Sequence, residues 1–308
     1  PLNGRISFSS PEENEEFMLA NDIQQKVRQI GKGSFRADYA MLETDQAMLA
    51  ADRFNRACTS YLAPPPGTVA LLFFRSAGGQ IFGSGESVAN DKLVVLPDGY
   101  SVDLVIPELA GSEAVVLPKS RYAELMQVFC PSCKQPDGVA VMTGDTRQLH
   151  RMRDSVTQIM AGEGAADEEI ASLVAQMIIW AGYSSGAGRP EIIPRKQAKV
   201  HIAKQVQAYI EEHYHETVRI EDLCRATGKE VRTLQTCFRR YFDMTITDYL
   251  KMVRLNSVFR VLSSAQPGEA TVASIALQHG FTHLGRFSVE YRKHFGESAR
   301  QTLLRRNS

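Results

Sequence analysis

Two stretches near the C-terminus follow one pattern, and that repeat constrains the fold more than any other feature. RIEDLCRATGKEVRTLQTCFRRYF can be laid over TVASIALQHGFTHLGRFSVEYRKHF so that Ile220, Leu223, Ala226 and Gly228 stand over Val272, Ile275, Gln278 and Gly280. Past the glycine, Leu234, Phe238 and Phe242 match Phe287, Tyr291 and Phe295, with one extra residue in the second copy. Each copy reads as a short helix, a glycine turn and a second helix with an apolar stripe at i, i+4, i+8. The glycine permits a tight turn, and the stripe anchors the second helix so that its other face points outward, the helix-turn-helix pattern. Between the copies, Thr245 to Ser264 reads as one helix of about 20 residues, roughly 30 Å long. Two outward helices on one rigid connector could reach successive major grooves on one face of B-DNA, which recur about every 34 Å.

Charge supports this once the chain is divided. The 308 residues carry 35 Lys plus Arg and 35 Asp plus Glu, a balance that by itself argues against a phosphate-binding surface. Cut after Arg195, however, the first part holds 17 basic and 24 acidic residues and the second 18 and 11. An acidic region is joined to a basic one, and the basic one contains the repeat. No apolar run approaches the roughly 18 residues of a membrane span and no export signal is visible, so a cytoplasmic protein without a membrane partner is expected.

Residues 201 to 305 resemble the DNA-binding domain of the AraC/XylS family of transcription regulators, on the landmarks IEDLCRATG, TLQTCFRRYF and IALQHGFTHLGRFSVEYRKHFGES. Ala299 stands where the family usually carries a proline. The resemblance implies double-stranded promoter DNA and RNA polymerase as partners, activation more than repression, a homodimer, and an N-terminal cupin-like sensor. The expected fold class is therefore α+β: a mostly-β cupin-like barrel or sandwich with a helical dimerisation segment at 1–183, a linker at 184–197, and an all-α domain with two helix-turn-helix units at 198–308.

On the first outward helix the inward set is Leu234, Cys237, Phe238 and Tyr241, which leaves Arg232, Gln235, Thr236, Arg239 and Arg240 as candidate DNA contacts. Arg232 and Gln235 come early, where side chains reach base edges, arginine matching guanine and glutamine adenine; Arg239 and Arg240 are placed for phosphates. The second outward helix offers His283, Arg286 and Ser288, with Arg292 and Lys293 for phosphates, but Leu284, Gly285 and Val289 occupy positions where the family usually presents polar groups.

The first part reads differently. TVALLFFR, GGQIF, KLVVLP, SVDLVIP and SEAVVLP are short apolar runs bounded by turn residues, hence strands. Ser10 before Pro11, Glu12 and Glu13 signals a helix start. RYAELMQVF, DTRQLHRMRDSVTQIM and ADEEIASLVAQMIIWAGY are helical, and the last is apolar over so much of its surface (Ile170, Leu173, Val174, Met177, Ile178, Trp180) that a core helix and a dimer interface are both open. Gly182 to Arg195 reads as linker.

Arg28, Lys32, Arg36, Arg53, Arg56 and Arg75 gather around the early strands and form a candidate anion-binding cluster for a small-molecule effector. Their spacing resembles the RxxxR element of PilZ-type domains, with lysine in one place, which makes cyclic di-GMP one candidate; another metabolite and local salt bridging are the others. A dimeric DNA binder that takes no ligand is the competing reading. A metal-dependent cupin enzyme is disfavoured, because the first 195 residues hold one histidine, His150, and no cofactor or metal is expected. The five cysteines suit reduced thiols; Cys130 and Cys133, in CPSC, form either an ordinary loop or a redox pair.

Overall fold

A computed structural model describes residues 3–84, 86–88, 90–133, 135–161, 167–187, 191–193, 198–265 and 270–305. The chain divides into two compact units, and the division is not a single cut. The first unit is Pro1–Val27, Arg36–Asn55 and Thr59–Pro194; the second is Arg28–Phe35, Arg56–Cys58 and Arg195–Ser308. Two short segments from the first fifth of the sequence therefore group with the C-terminal helices.

From the N-terminus, β1 (Gly4–Phe8), α1 (Pro11–Ala20), β2 (Gln24–Gln29), β3 (Ala37–Glu43), β4 (Met48–Phe54), β5 (Cys58–Ala63), β6 (Thr68–Ser76), β7 (Phe82–Gly83), β8 (Glu86–Ser87), β9 (Lys92–Leu96), β10 (Val102–Ile106) and β11 (Ala110–Pro118) lead into α2 (Lys119–Phe129), β12 (Val139–Thr143), α3 (Thr146–Ala161), α4 (Asp167–Ala187) and β13 (Glu191–Ile193). The strands form an eight-stranded sheet in the order β1-β3-β4-β11-β6-β9-β12-β13 and a five-stranded sheet in the order β2-β5-β10-β7-β8. Ser10 caps α1, its hydroxyl accepting from the Glu13 N–H, with Pro11 in the first turn.

Alternation along the central strands sets the two faces of the large sheet. Leu71 and Phe73 of β6 and Val115 and Leu117 of β11 pack with Tyr122 and Met126 of α2, Leu149 and Met152 of α3, and the apolar face of α4. Ala70, Leu72, Ala114 and Val116, the intervening residues, line a cavity. All six apolar residues singled out on α4 are buried in this core, so packing within the unit accounts for its excess hydrophobicity. That corrects the reading of those side chains as a dimer surface.

The segment expected to be linker is more structured than its Gly and Ser content suggested. Helix α4 continues to Ala187, and β13 pairs antiparallel with β12, Val139 opposite Ile193. Residues 188–190 and 194–197 lie outside the described residues. Cys130 and Cys133 are joined by a disulfide across the turn that ends α2, which corrects the expectation of reduced thiols for this pair. Among the described residues no helix is long and apolar enough to cross a membrane, and no group of His, Cys, Asp and Glu could hold a metal ion.

The second unit contains α5 (Ala198–His213), α6 (Ile220–Thr227), α7 (Val231–Phe242), α8 (Ile246–Ser264), α9 (Val272–Gln278), α10 (Leu284–Phe295) and α11 (Ala299–Leu304). It has two hydrophobic clusters, and α8 belongs to both. Ile246, Tyr249, Met252 and Val253 pack with α5, α6 and α7. Leu255, Val258, Phe259 and Leu262 pack with α9, α10 and α11. A helix with a core at each end is apolar on several faces, as this one is. It spans about 28 Å at 1.5 Å per residue. Helix α11 forms without the proline, since Ser298 caps it by accepting from the Gln301 N–H.

Candidate nucleic-acid interface

Each helix pair is set by its caps and turn. The N–H of Arg219, just before α6, donates to the Asp222 carboxylate at 3.0 Å, and Thr271 caps α9 by accepting from the Ser274 N–H. Gly228 and Gly280 close the first helix of each pair at φ +66° and +80°, a left-handed conformation that a side chain disfavours. At Gly280 space is a second constraint, because a Cβ would lie 2.9 Å from the Arg254 guanidinium. That guanidinium donates to the carbonyls of Tyr214 and Glu216 at 2.7 and 2.6 Å, tying α8 to the segment leaving α5.

On α7, Leu234, Cys237, Phe238, Tyr241 and Phe242 are buried. Arg232, Gln235, Thr236, Arg239 and Arg240 are all exposed and share the opposite side of that helix. The Thr236 hydroxyl donates to the Arg232 carbonyl at 2.7 Å, so it is engaged with its own helix. Gln235 and Arg239 line a groove of about 390 Å³ together with Arg219, Thr245 and Thr247. Arg219 and Thr247 are additions that sequence reasoning missed, since neither lies on α7 and only the packing of α6 and α8 beside it brings them there. Thr247 sits in the first turn of α8, where the helix dipole favours an anion such as phosphate.

The second pair presents less polarity. On α10, Phe287, Tyr291, His294 and Phe295 are buried, while Arg286, Ser288, Arg292 and Lys293 are exposed, as is His283 at the N-cap. Arg286 is already paired with Glu290 at 3.0 Å, and the Ser288 hydroxyl donates to the Leu284 carbonyl at 2.9 Å. Val289 is 68% exposed on the same side, an apolar contact suited to a thymine methyl.

The six residues expected to form an anion site divide between the two units. Arg28, Lys32 and Arg56 belong to the second unit, whereas Arg36, Arg53 and Arg75 belong to the first. Arg28 is paired with the Glu211 carboxylate and donates to the Tyr249 hydroxyl at 3.1 Å. The Arg56 guanidinium packs against Gly33. Arg36 pairs with Asp38 at 2.8 Å, and Arg75 with the buried Glu113 at 2.9 Å. Arg28, Arg36 and Arg75 thus each pair with a carboxylate of their own unit.

Residues 223–305 match the family model described as a helix-turn-helix domain. Among curated proteins, 100 residues are 32% identical to the XylDLEGF operon transcriptional activator 2 of Pseudomonas putida, covering 32% of this chain and 64% of that protein. A further 115 residues' match, at 31% identity, is to the probable thc operon regulatory protein of Rhodococcus erythropolis, covering 37% of this chain and 35% of that one. The chain thus spans between about a third and two thirds of the length of these relatives. Among solved structures, a probable AraC family transcriptional regulator from Rhodopseudomonas palustris CGA009 is 36% identical over 34% of this chain and 96% of that chain, with a TM-score of 0.32. These relatives are transcription regulators, and what this chain shares with them is its C-terminal third, where residues 223–305 match the helix-turn-helix domain.

Proposed function

We propose that the chain is a sequence-specific DNA-binding transcriptional activator, working as a homodimer at promoter DNA with RNA polymerase, and controlled by a small molecule held in a cupin-like first unit. The observation that carries the DNA reading is the exposed row Arg232, Gln235, Arg239 and Arg240 on α7, repeated with fewer polar groups on α10. Arg232 and Gln235 read bases, Arg239 and Arg240 hold phosphates, and α10 adds Arg292 and Lys293 as backbone anchors. Support for ligand control is the mostly apolar cavity inside the first unit, lined by Met41, Ala50, Leu72 and Ala114 with Asp52 and Ser112 at one end. A ligand-independent DNA binder is the second reading, and the absence of any occupant for that cavity would favour it.

Electrophoretic titration of a selected operator tests the assignment. Arg232→Ala is expected to cost about 1–3 kcal/mol on the preferred sequence and little on unrelated DNA. Arg239→Ala should weaken both and reduce the salt slope by about one. Equal losses for Arg232→Ala on both DNAs would make it a phosphate contact instead.

A further inference from the structure

The cavity of the first unit has a chemistry that names its ligand class. Its floor is a set of cross-strand neighbours on β3, β4, β11 and β6: Met41 opposite Ala50, Ala50 opposite Ala114, and Ala114 opposite Leu72. The small alanines leave the space, and the walls are otherwise methionine, leucine, isoleucine, valine and proline. One row further along the same strands the wall becomes polar, with Tyr39 opposite Asp52 and Asp52 opposite Ser112.

Asp52 is the one ionisable carboxylate among the lining residues, and no lysine or arginine lines the space. Both its oxygens accept from Ser112, at 2.8 Å from the N–H and 2.7 Å from the hydroxyl. These partners are neutral, and they hold the carboxyl in place while leaving lone pairs on each oxygen. Tyr39 is held in the same way, its hydroxyl donating to the Gln25 amide oxygen at 3.0 Å. Burial pushes the Asp52 carboxyl up to about 6. A carboxylate kept ionisable in an apolar pocket is costly unless something cationic or donating meets it; an asparagine would satisfy Ser112 without that cost.

We infer that this cavity binds a compact apolar molecule carrying an amine, or failing that a hydroxyl, which donates to Asp52, and that it rejects anions. The inference rests on the proposed reading of the first unit as a ligand-binding unit, and it replaces an anionic effector with a cationic or neutral one. The apolar body fills the alanine-floored space and the head group sits at the Asp52–Ser112 end.

Calorimetric titration of the full chain with benzylamine, benzyl alcohol and benzoate tests it, because the three share one body and differ in the head group. Benzylamine is expected to bind about tenfold or more tightly than benzyl alcohol, with benzoate weakest. Asp52→Asn, nearly isosteric, should abolish the amine preference while Trp180 fluorescence reports an intact first unit. Ala114→Leu, which fills the space, should weaken all three. Benzoate binding as tightly as benzylamine would overturn the ligand class yet keep a ligand-binding unit. Binding unaffected by both variants would overturn the cavity as the site. If none of the three binds while operator binding persists, the inference fails, and both ligand control by another molecule and the DNA reading stand.

Discussion

Asn256→Leu is expected to destabilise the second unit by about 2–4 kcal/mol. Asn256 lies midway along α8 with 6% of its surface exposed, and its side chain holds the backbone of Gln29 from both sides. The Gln29 N–H donates to Asn256 Oδ1 at 3.2 Å, and Asn256 Nδ2 donates to the Gln29 carbonyl at 3.1 Å and to Met252 at 2.9 Å. Leucine preserves volume but strands the Gln29 N–H in a site closed to water, and an unmade buried hydrogen bond costs more than a made one contributes. The Gln29 side chain in turn donates to the carbonyls of Gly31, Gly33 and His294 at 2.7, 2.6 and 2.9 Å, so the loop over 29–33 loses its anchor with Asn256. Urea unfolding followed by far-UV circular dichroism reads the loss, and hydrogen exchange localises it: the amides of Ile30, Gly31 and Gly33 should lose protection first. A change below about 0.5 kcal/mol, the size of an ordinary surface substitution, would show that the segment is not part of that unit's fold.

That segment also marks the limit of what the sequence discloses. The helix-turn-helix repeat was legible because its signals are local: a turn glycine and an apolar stripe recur twice within 80 residues or so. The inward faces of α7 and α10 follow from the same stripe. Strands β1 and β2, GRISF and QQKVRQ, were not legible because they carry too few apolar residues to signal burial, and partners elsewhere complete them. Strand β12, VAVMT, is a short apolar run between helical patterns, where periodicity cannot separate strand from helix. The arginines near residue 30 misled for a related reason: the sequence shows charge density but not counter-charges, and Glu211 lies 183 positions from Arg28. The cavity was hidden too, because alanines at positions 50, 70 and 114 announce space only once their strands are paired.

Acidification from pH 6.5 to 4 should cost the second unit about 3 kcal/mol through His294 alone. His294 stands in the last turn of α10, 8% exposed, and its Nε2 meets the Gln29 carbonyl at 3.0 Å. A carbonyl only accepts, so Nε2 carries the proton and the neutral ring satisfies the contact. Burial pushes the imidazolium down to about 4, outweighing the stabilisation of its charge by the Gln29 carbonyl, with nearby Lys251 and Lys32 adding in the same direction. The helix C-terminus favours a cation, but by less than desolvation disfavours it. Above pH 6.5 both folded and unfolded chains hold the ring neutral and its contribution is fully present. Below that value the unfolded chain takes up a proton that the folded chain refuses until about pH 4, so stability falls with pH across that window. The slope attributable to this one site is about 1.4 kcal/mol per pH unit. His294→Gln, whose amide can still donate to Gln29, should remove that slope while keeping most of the stability at pH 7.5. Unfolding free energies measured at half-unit intervals in both proteins decide it, and parallel curves between pH 6.5 and 4 would show that His294 titrates normally and that its burial costs nothing.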